Sequence, residues 1–193
     1  GKSEAQKAGL LIKEKNIQIN FYYSSLQLRA NNTLKIIQKV LNDEKKFFRA
    51  WQLNERHYGA LTGFNKLEMN EKIGEKKVYE FRRSWDIKPP ALNKESSYHP
   101  INIEVYEDVP REVIPDTESL KDTYERVTEY FEKEIKKKLV DKNILISAHG
   151  NSIRALCKKL FNLDDKQISS LEIPTGNPLL IELSGNSKII KCE

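Results

Sequence analysis

At 193 residues and 22.5 kDa, the chain is long enough to bury one full core, and a single domain over 1–193 is the natural expectation. Apolar residues make up 38% and charged residues 32%, mean hydropathy is -0.64, and no apolar run nears the ~20 residues of a membrane-spanning helix. The net charge of +5 is modest and its Lys and Arg are interleaved with acids, which suits a small anionic substrate and argues against nucleic acid or a membrane as partner.

In chain order, Lys2 to Lys15 reads as a helix with Ala5, Ala8, Leu11 and Ile12 on one side, stopped by Asn16. Alternation from Ile17 to Tyr23 predicts a strand, Ser24-Ser25 a cap, and Leu26 to Asn42 a second helix carrying Leu34, Ile37 and Leu41 inward. Phe47 to Leu53 reads as another strand, so the order predicts parallel strands with crossover helices. Such an architecture rarely opens on a crossover helix, so either the terminus is ragged or an N-terminal strand is missing from this sequence. Asn54 to Gly63 breaks the periodicity, with charged and aromatic residues between glycines after a strand, where loops carry function. Helices follow near Lys66–Ile73 and Glu75–Trp85, then an irregular surface excursion from Lys88 to Pro110.

Asp116 or Thr117 is placed to cap a long helix with Leu120, Tyr124, Val127, Phe131 and Ile135 at spacings of three and four. Ile144 to Ala148 is a short apolar run suited to a buried strand, and Ile153, Leu156, Leu160 and Phe161 then recur at helical spacing. Asp164 starts a short helix to Leu171. Residues 173–178 form a turn, and Leu179–Leu183 and Lys188–Cys192 are strands about a Ser-Gly-Asn-Ser turn.

Between the Ile144 strand and its helix stand His149, Gly150 and an Asn151-Ser152 pair. A strand feeding a helix through a Gly turn leaves backbone N–H groups unpaired, which favours an anion, phosphate above all. His149 would then stand at the carboxyl end of a strand, where open α/β sheets keep ligands. The same pattern also suits a His merely satisfied in a core. The chain has two other histidines, His57 in the glycine-bounded loop and His99 before Pro100, the latter expected at the surface. No His or Cys pair has ligand spacing, so no metal is expected. No Gly-x-Ser-x-Gly elbow or Gly-x-x-x-x-Gly-Lys loop occurs either. Cys157 and Cys192 match no redox spacing, no signal peptide opens the chain, and a cytoplasmic protein is expected. Arg29 and the Arg82-Arg83 pair could grip phosphate or carboxylate, although a helix Arg is more often a solvated surface group. Glu55 could partner Arg56, or act as an acid or base in an enclosed loop, and Tyr58 suits a core equally well.

Together these pieces resemble the cofactor-dependent phosphoglycerate mutases of the histidine phosphatase superfamily. The matching stretches are Tyr23-Ser-Ser-Leu-Gln-Leu-Arg29-Ala30, Leu53-Asn-Glu-Arg-His-Tyr-Gly59, Gly63-Phe-Asn-Lys66, Phe81-Arg-Arg83, Thr117-Glu-Ser-Leu120, Ala148-His-Gly-Asn-Ser152 and Ile173-Pro-Thr-Gly176. They span nearly the whole chain in family order. The resemblance implies an α/β three-layer sandwich with a mostly parallel central sheet. It also implies interconversion of 3-phosphoglycerate and 2-phosphoglycerate through a phosphohistidine, with 2,3-bisphosphoglycerate as primer and no metal. Glu55 would move the substrate hydroxyl proton, and Arg29 and His149 would hold the transferring phosphoryl oxygens. Arg56, His57, Tyr58, Lys66, Arg82, Arg83, Gly150 and Asn151 would seat the phosphoglycerate. Similar enzymes are commonly dimers or tetramers, so a homo-oligomer is a further implication.

One departure matters. The family's nucleophile lies in an Arg-His-Gly segment at the end of its first strand, and these 193 residues contain no such tripeptide. A sequence beginning late is expected, together with negligible mutase activity and reduced stability for the chain as given. The basic tail that often closes the family's site is not seen after Cys192 either. Two alternatives stand beside the mutase: a phosphohydrolase or bisphosphoglycerate synthase of the same superfamily, and a catalytically dead anion-binding module.

Overall fold

A computed structural model describes residues 1–184 and 188–193, with Lys66 described by its backbone alone. The elements are α1 (Lys2–Glu14), β1 (Phe21–Ser24), α2 (Leu28–Leu41), β2 (Phe48–Arg49), α3 (Lys66–Ile73), α4 (Glu75–Arg83), α5 (Leu120–Tyr130), β3 (Ile144–Ser147), α6 (Gly150–Phe161), α7 (Asp165–Ser170), β4 (Ile181–Leu183) and β5 (Ile189–Cys192).

The parallel sheet runs β2-β1-β3, with Tyr23 opposite Phe48 and Tyr22 opposite Leu145. Side chains of a strand point alternately to the two faces of its sheet, and both faces here are covered. Phe21, Tyr23, Ile144 and Ile146 pack with Val127 of α5 and Ala155 and Leu156 of α6, while Tyr22 and Leu145 pack with Leu34 of α2. This is helix, sheet, helix, as expected. α1 lies on α2 at close range: a Cβ on Gly9 would meet Val40 Cβ at 2.8 Å. β4 and β5 form a separate antiparallel hairpin, and the middle of the turn expected there, 185–187, lies outside the described residues.

Asparagine ends three helices. Asn16, Asn42 and Asn162 take φ of 52°, 54° and 52° after α1, α2 and α6, the left-handed conformation that Asn tolerates better than most side chains.

Several boundaries differ from the sequence expectations. β1 begins only at Phe21, although Ile17 and Ile19 still pack beside Tyr22 and Leu34. Only Phe48–Arg49 pairs as β2, and Trp51–Leu53 winds into a 3-10 turn. Ser24-Ser25 is no helix cap: Ser24 belongs to β1 and Gln27 precedes α2. α5 is capped by Ser119, whose hydroxyl accepts Asp122 N–H at 3.1 Å while the Asp122 carboxylate accepts Ser119 N–H at 2.7 Å. Asp116 and Thr117 are engaged elsewhere, with His99 at 3.0 Å and the Pro89 carbonyl at 2.8 Å. Beyond α5 the chain adds a π turn, Phe131–Ile135, that keeps Phe131 and Ile135 in the core.

His99 is not at the surface. It is 0% exposed, because the irregular stretch folds as short 3-10 turns over a local core of Tyr106, Val109 and Ile114.

Candidate active site

β1 and β3 are parallel neighbours, so the residues that leave their carboxyl ends emerge side by side. Ser25 follows β1 and His149 follows β3, with Ser25 Oγ 2.8 Å from His149 Nε2. Arg29, in the first turn of α2, donates from Nε to His149 Nδ1 at 3.0 Å. A guanidinium only donates, so Nδ1 must offer a lone pair and the ring proton must sit on Nε2, facing Ser25. His149 is therefore neutral here. Burial holds its pKa down to about 4, with the Arg29 and Arg126 charges adding to that effect against the pull of Glu55.

Across the start of α6 lies Glu55. Its Oε1 accepts Arg56 N–H at 2.8 Å, Asn151 Nδ2 at 2.7 Å and Asn151 N–H at 3.3 Å. The last of these is a free donor of the helix N-terminus. Glu55 Oε2 lies over Gly150, 3.9 Å from where a Cβ would stand, which is ordinary van der Waals contact. Asn151 Nδ2 also reaches Tyr58 Oη at 3.0 Å.

The loop carrying Glu55 is pinned from behind. Arg126 donates to the carbonyls of Gln52, Asn54 and Glu55 at 2.6, 3.2 and 3.3 Å. Glu118 binds Arg126 Nε at 2.6 Å and Nη2 at 2.8 Å, and takes His57 N–H at 2.9 Å and Nδ1 at 2.8 Å. Burial opposes ionisation of Glu118, but the Arg126 charge and the hydrogen bonds from Arg126 and His57 outweigh it and hold the carboxyl well below its usual range. From the other side, Gln27 Oε1 accepts Glu55 N–H at 3.2 Å and Asn54 Oδ1 accepts Leu26 N–H at 2.9 Å.

In front of Glu55 opens a polar cavity of about 230 Å³. Of the residues expected in the site, Glu55, Tyr58, Arg82, Arg83, Gly150 and Asn151 line it, and His149 and Arg29 stand together beside them. Two expected ligands turn away. Arg56 is buried with its guanidinium 4.5 Å from the Tyr58 ring centroid and hydrogen-bonded to the Phe81 carbonyl; its Nε and Nη1 have no partner among the described residues. His57 faces Glu118. Lys66 begins α3, and its side chain lies outside the described residues.

Sequence reasoning did not single out Arg154 and Glu172, which also line the cavity. The Gly150–Arg154 spacing of four residues puts both on one helix face, and this was the available signal. Among the described residues no three His, Cys, Asp or Glu gather where they could hold a metal.

A family model for the histidine phosphatase superfamily (branch 1) matches residues 1–101 and 95–192. The chain is 65% identical to a 2,3-bisphosphoglycerate-dependent phosphoglycerate mutase of Pelagibacter ubique (strain HTCC1062), over 100% of this chain and 81% of that protein. It is 45% identical to the enzyme of the same name from Borreliella afzelii (strain PKo), over 99% of this chain and 78% of that protein. In fold it is similar to Bacillus stearothermophilus YhfR, with a TM-score of 0.70 at 17% identity, covering 98% of this chain and 79% of that one.

Proposed function

Because the chain belongs to the histidine phosphatase superfamily, and within it to the 2,3-bisphosphoglycerate-dependent phosphoglycerate mutases, we propose that it interconverts 3-phosphoglycerate and 2-phosphoglycerate in glycolysis. The observation that carries this reading is the Glu55 carboxylate, set in a cavity walled by the guanidinium groups of Arg82, Arg83 and Arg154, beside a neutral imidazole. Such a cavity suits a small polyanion that must exchange a proton at a hydroxyl.

Glu55 is the acid and base at the substrate hydroxyl. Its Oε1 is held by Asn151 and the Arg56 amide, and no hydrogen bond engages Oε2 among the described residues, which leaves that oxygen for the proton. His149 Nε2–H, exchanging Ser25 Oγ for a phosphoryl oxygen, and the terminal nitrogens of Arg29 are the donors for the transferring group. Arg82 and Arg83 bind the phosphate and carboxylate of the glycerate, with Tyr58, Gly150 and Asn151 along the cavity wall. Arg56 and His57 support this surface from behind, through Tyr58 and Glu118.

The residues present fit 2,3-bisphosphoglycerate. Arg82, Arg83 and Arg154 bring three cationic side chains to one cavity, and planar guanidinium forks match phosphate oxygens. When bound, that compound supplies the phosphoryl group that primes the cycle. The same reading places the protein in the cytoplasm; no described helix is long and apolar enough to cross a membrane.

The test is a product assay on the full-length gene product with 3-phosphoglycerate, with and without 2,3-bisphosphoglycerate. The expected product is 2-phosphoglycerate, formed only when primer is present. Inorganic phosphate as the main product, or no turnover, would overturn the reading.

A further inference from the structure

An acid stands where a site for anions has least use for one. Glu172 follows α7 and precedes the turn at 173–178, and its Oε1 lies 2.5 Å from Arg83 Nη2. Its Oε2 lies 3.7 Å from Arg154 Nη2. The carboxylate thus lies against two of the three guanidinium groups that line the cavity.

The three side chains are not held alike. The Arg154 side chain is 12% exposed and is fixed at two points, donating from Nε to the Leu171 carbonyl at 2.7 Å and from Nη1 to Asn151 Oδ1 at 3.2 Å. Nη2 is left for an anion. The Glu172 side chain is 69% exposed, and among the described residues it has no partner besides the two arginines. It reaches in from solvent and can swing back out, while Arg154 cannot.

Arg83 and Arg154 also crowd each other. Burial lowers the Arg154 pKa first, and the neighbouring Arg83 charge lowers it further, against the opposing pull of Glu172. Two cations so placed need an anion between them. The unequal distances of 2.5 and 3.7 Å show that one carboxylate serves the pair unequally, whereas a phosphate has three oxygens to divide between them.

We propose that Glu172 is an internal counter-anion which the phosphate or carboxylate of the substrate displaces from Arg83 and Arg154, and that it thereby sets how tightly the site holds its ligand. The proposal rests on the mutase reading in taking phosphoglycerate as the displacing anion. It assigns Arg154 two tasks. Arg154 binds the incoming group, and by fixing Asn151 Oδ1 it turns Asn151 Nδ2 toward Glu55, so the anion subsite sits one side chain from the proton-transfer group.

An exposed ion pair is worth little, so the effect is small and definite. Removing the competing carboxylate tightens ligand binding by about two- to fivefold. The experiment compares the full-length gene product with its Glu172→Gln variant in two readouts: KM for 3-phosphoglycerate in the mutase assay, and Kd for inorganic phosphate by calorimetry. Both are expected to fall about two- to fivefold in the variant, and the ratio to approach one in roughly 0.5 M KCl, where surface charges are screened. A residue that only stabilised the turn would instead lower the thermal midpoint and raise KM. Unchanged or raised KM and Kd overturn the proposal. If the parent protein forms no 2-phosphoglycerate, the mutase reading fails, and the phosphate Kd ratio then decides the role of Glu172 by itself.

Discussion

Glu118→Gln strikes the loop that carries Glu55 without touching the cavity. The Glu118 side chain is 3% exposed and meets five donors: Arg126 Nε at Oε1, and Arg126 Nη2, His57 N–H, His57 Nδ1 and, more distantly, the Thr123 hydroxyl at Oε2. A glutamine offers one accepting oxygen and one NH2 group. Whichever way the amide sits, at least one buried donor faces another donor, and Arg126 keeps a buried charge with no counter-charge in contact. Breaking a buried pair in this way costs about 3–5 kcal/mol, roughly a fifth or more of the ~5–15 kcal/mol that holds a typical domain.

Urea unfolding followed by tryptophan fluorescence measures this directly, because the Arg126 guanidinium lies 5.7 Å from the Trp51 ring. Turnover is expected to fall as well, since Arg126 holds the carbonyls of Gln52, Asn54 and Glu55. The pH dependence adds a second signature. Glu118 has a folded pKa below its ordinary 4.5, so its contribution is present above about pH 4.5 and is lost as pH falls toward the lower folded value. The parent protein should lose this part of its stability in acid, and the variant should lack that component. A stability loss under about 1 kcal/mol with normal turnover would refute the claim that this ion pair positions Glu55.

Three further outcomes follow from the site and its frame. Glu55→Gln in the full-length gene product should lower kcat by about 10²- to 10⁴-fold while inorganic phosphate still binds; a loss under about tenfold would remove Glu55 from the proton transfer. His149, neutral with a pKa near 4 against an ordinary 6.5, should show a flat NMR ring-proton shift from about pH 5.5 to 8. Its share of stability, present above about pH 6.5, is lost as pH falls toward 4; a titration midpoint near 6.5 would contradict the burial argument. Gly59→Ala places a Cβ 2.1 Å from the Pro90 carbonyl oxygen at a φ of +56°, so a loss of at least about 2 kcal/mol is expected, and an unchanged thermal midpoint would count against the backbone geometry.

The sequence made legible what local chemistry specifies. A buried apolar run, a Gly turn and a helix pattern located His149, Gly150 and Asn151, and alternation marked the first strand, while the layers covering both faces of the sheet were implied by the family resemblance. What stayed hidden depends on which distant segments meet. His99 before a proline reads as surface until Asp116 arrives 3.0 Å away. Glu118 and Arg126 could have been suspected, because they flank an apolar helix stripe on which Thr123 and Val127 are also buried. The carbonyls that Arg126 binds, those of Gln52, Asn54 and Glu55, carry no signature in a sequence.

Burial then sorts the arginines into roles that their spacing could not. Arg126 spends Nε, Nη1 and Nη2 on Glu118 and on backbone carbonyls, and has no donor group left for a ligand. Among the described residues Arg56 Nε and Nη1 have no partners, but both atoms are sealed from solvent behind Tyr58, so a substrate reaches them only if that loop moves. Among the described residues, Arg83 and Nη2 of Arg154 face the cavity and meet only the replaceable Glu172, while Arg154 keeps Nε on the Leu171 carbonyl and Nη1 on Asn151 Oδ1. A guanidinium loses little by exchanging one carboxylate for a phosphate, and much by leaving backbone carbonyls it has desolvated. The division between frame and site in this chain therefore follows what each arginine would have to give up in order to bind an anion.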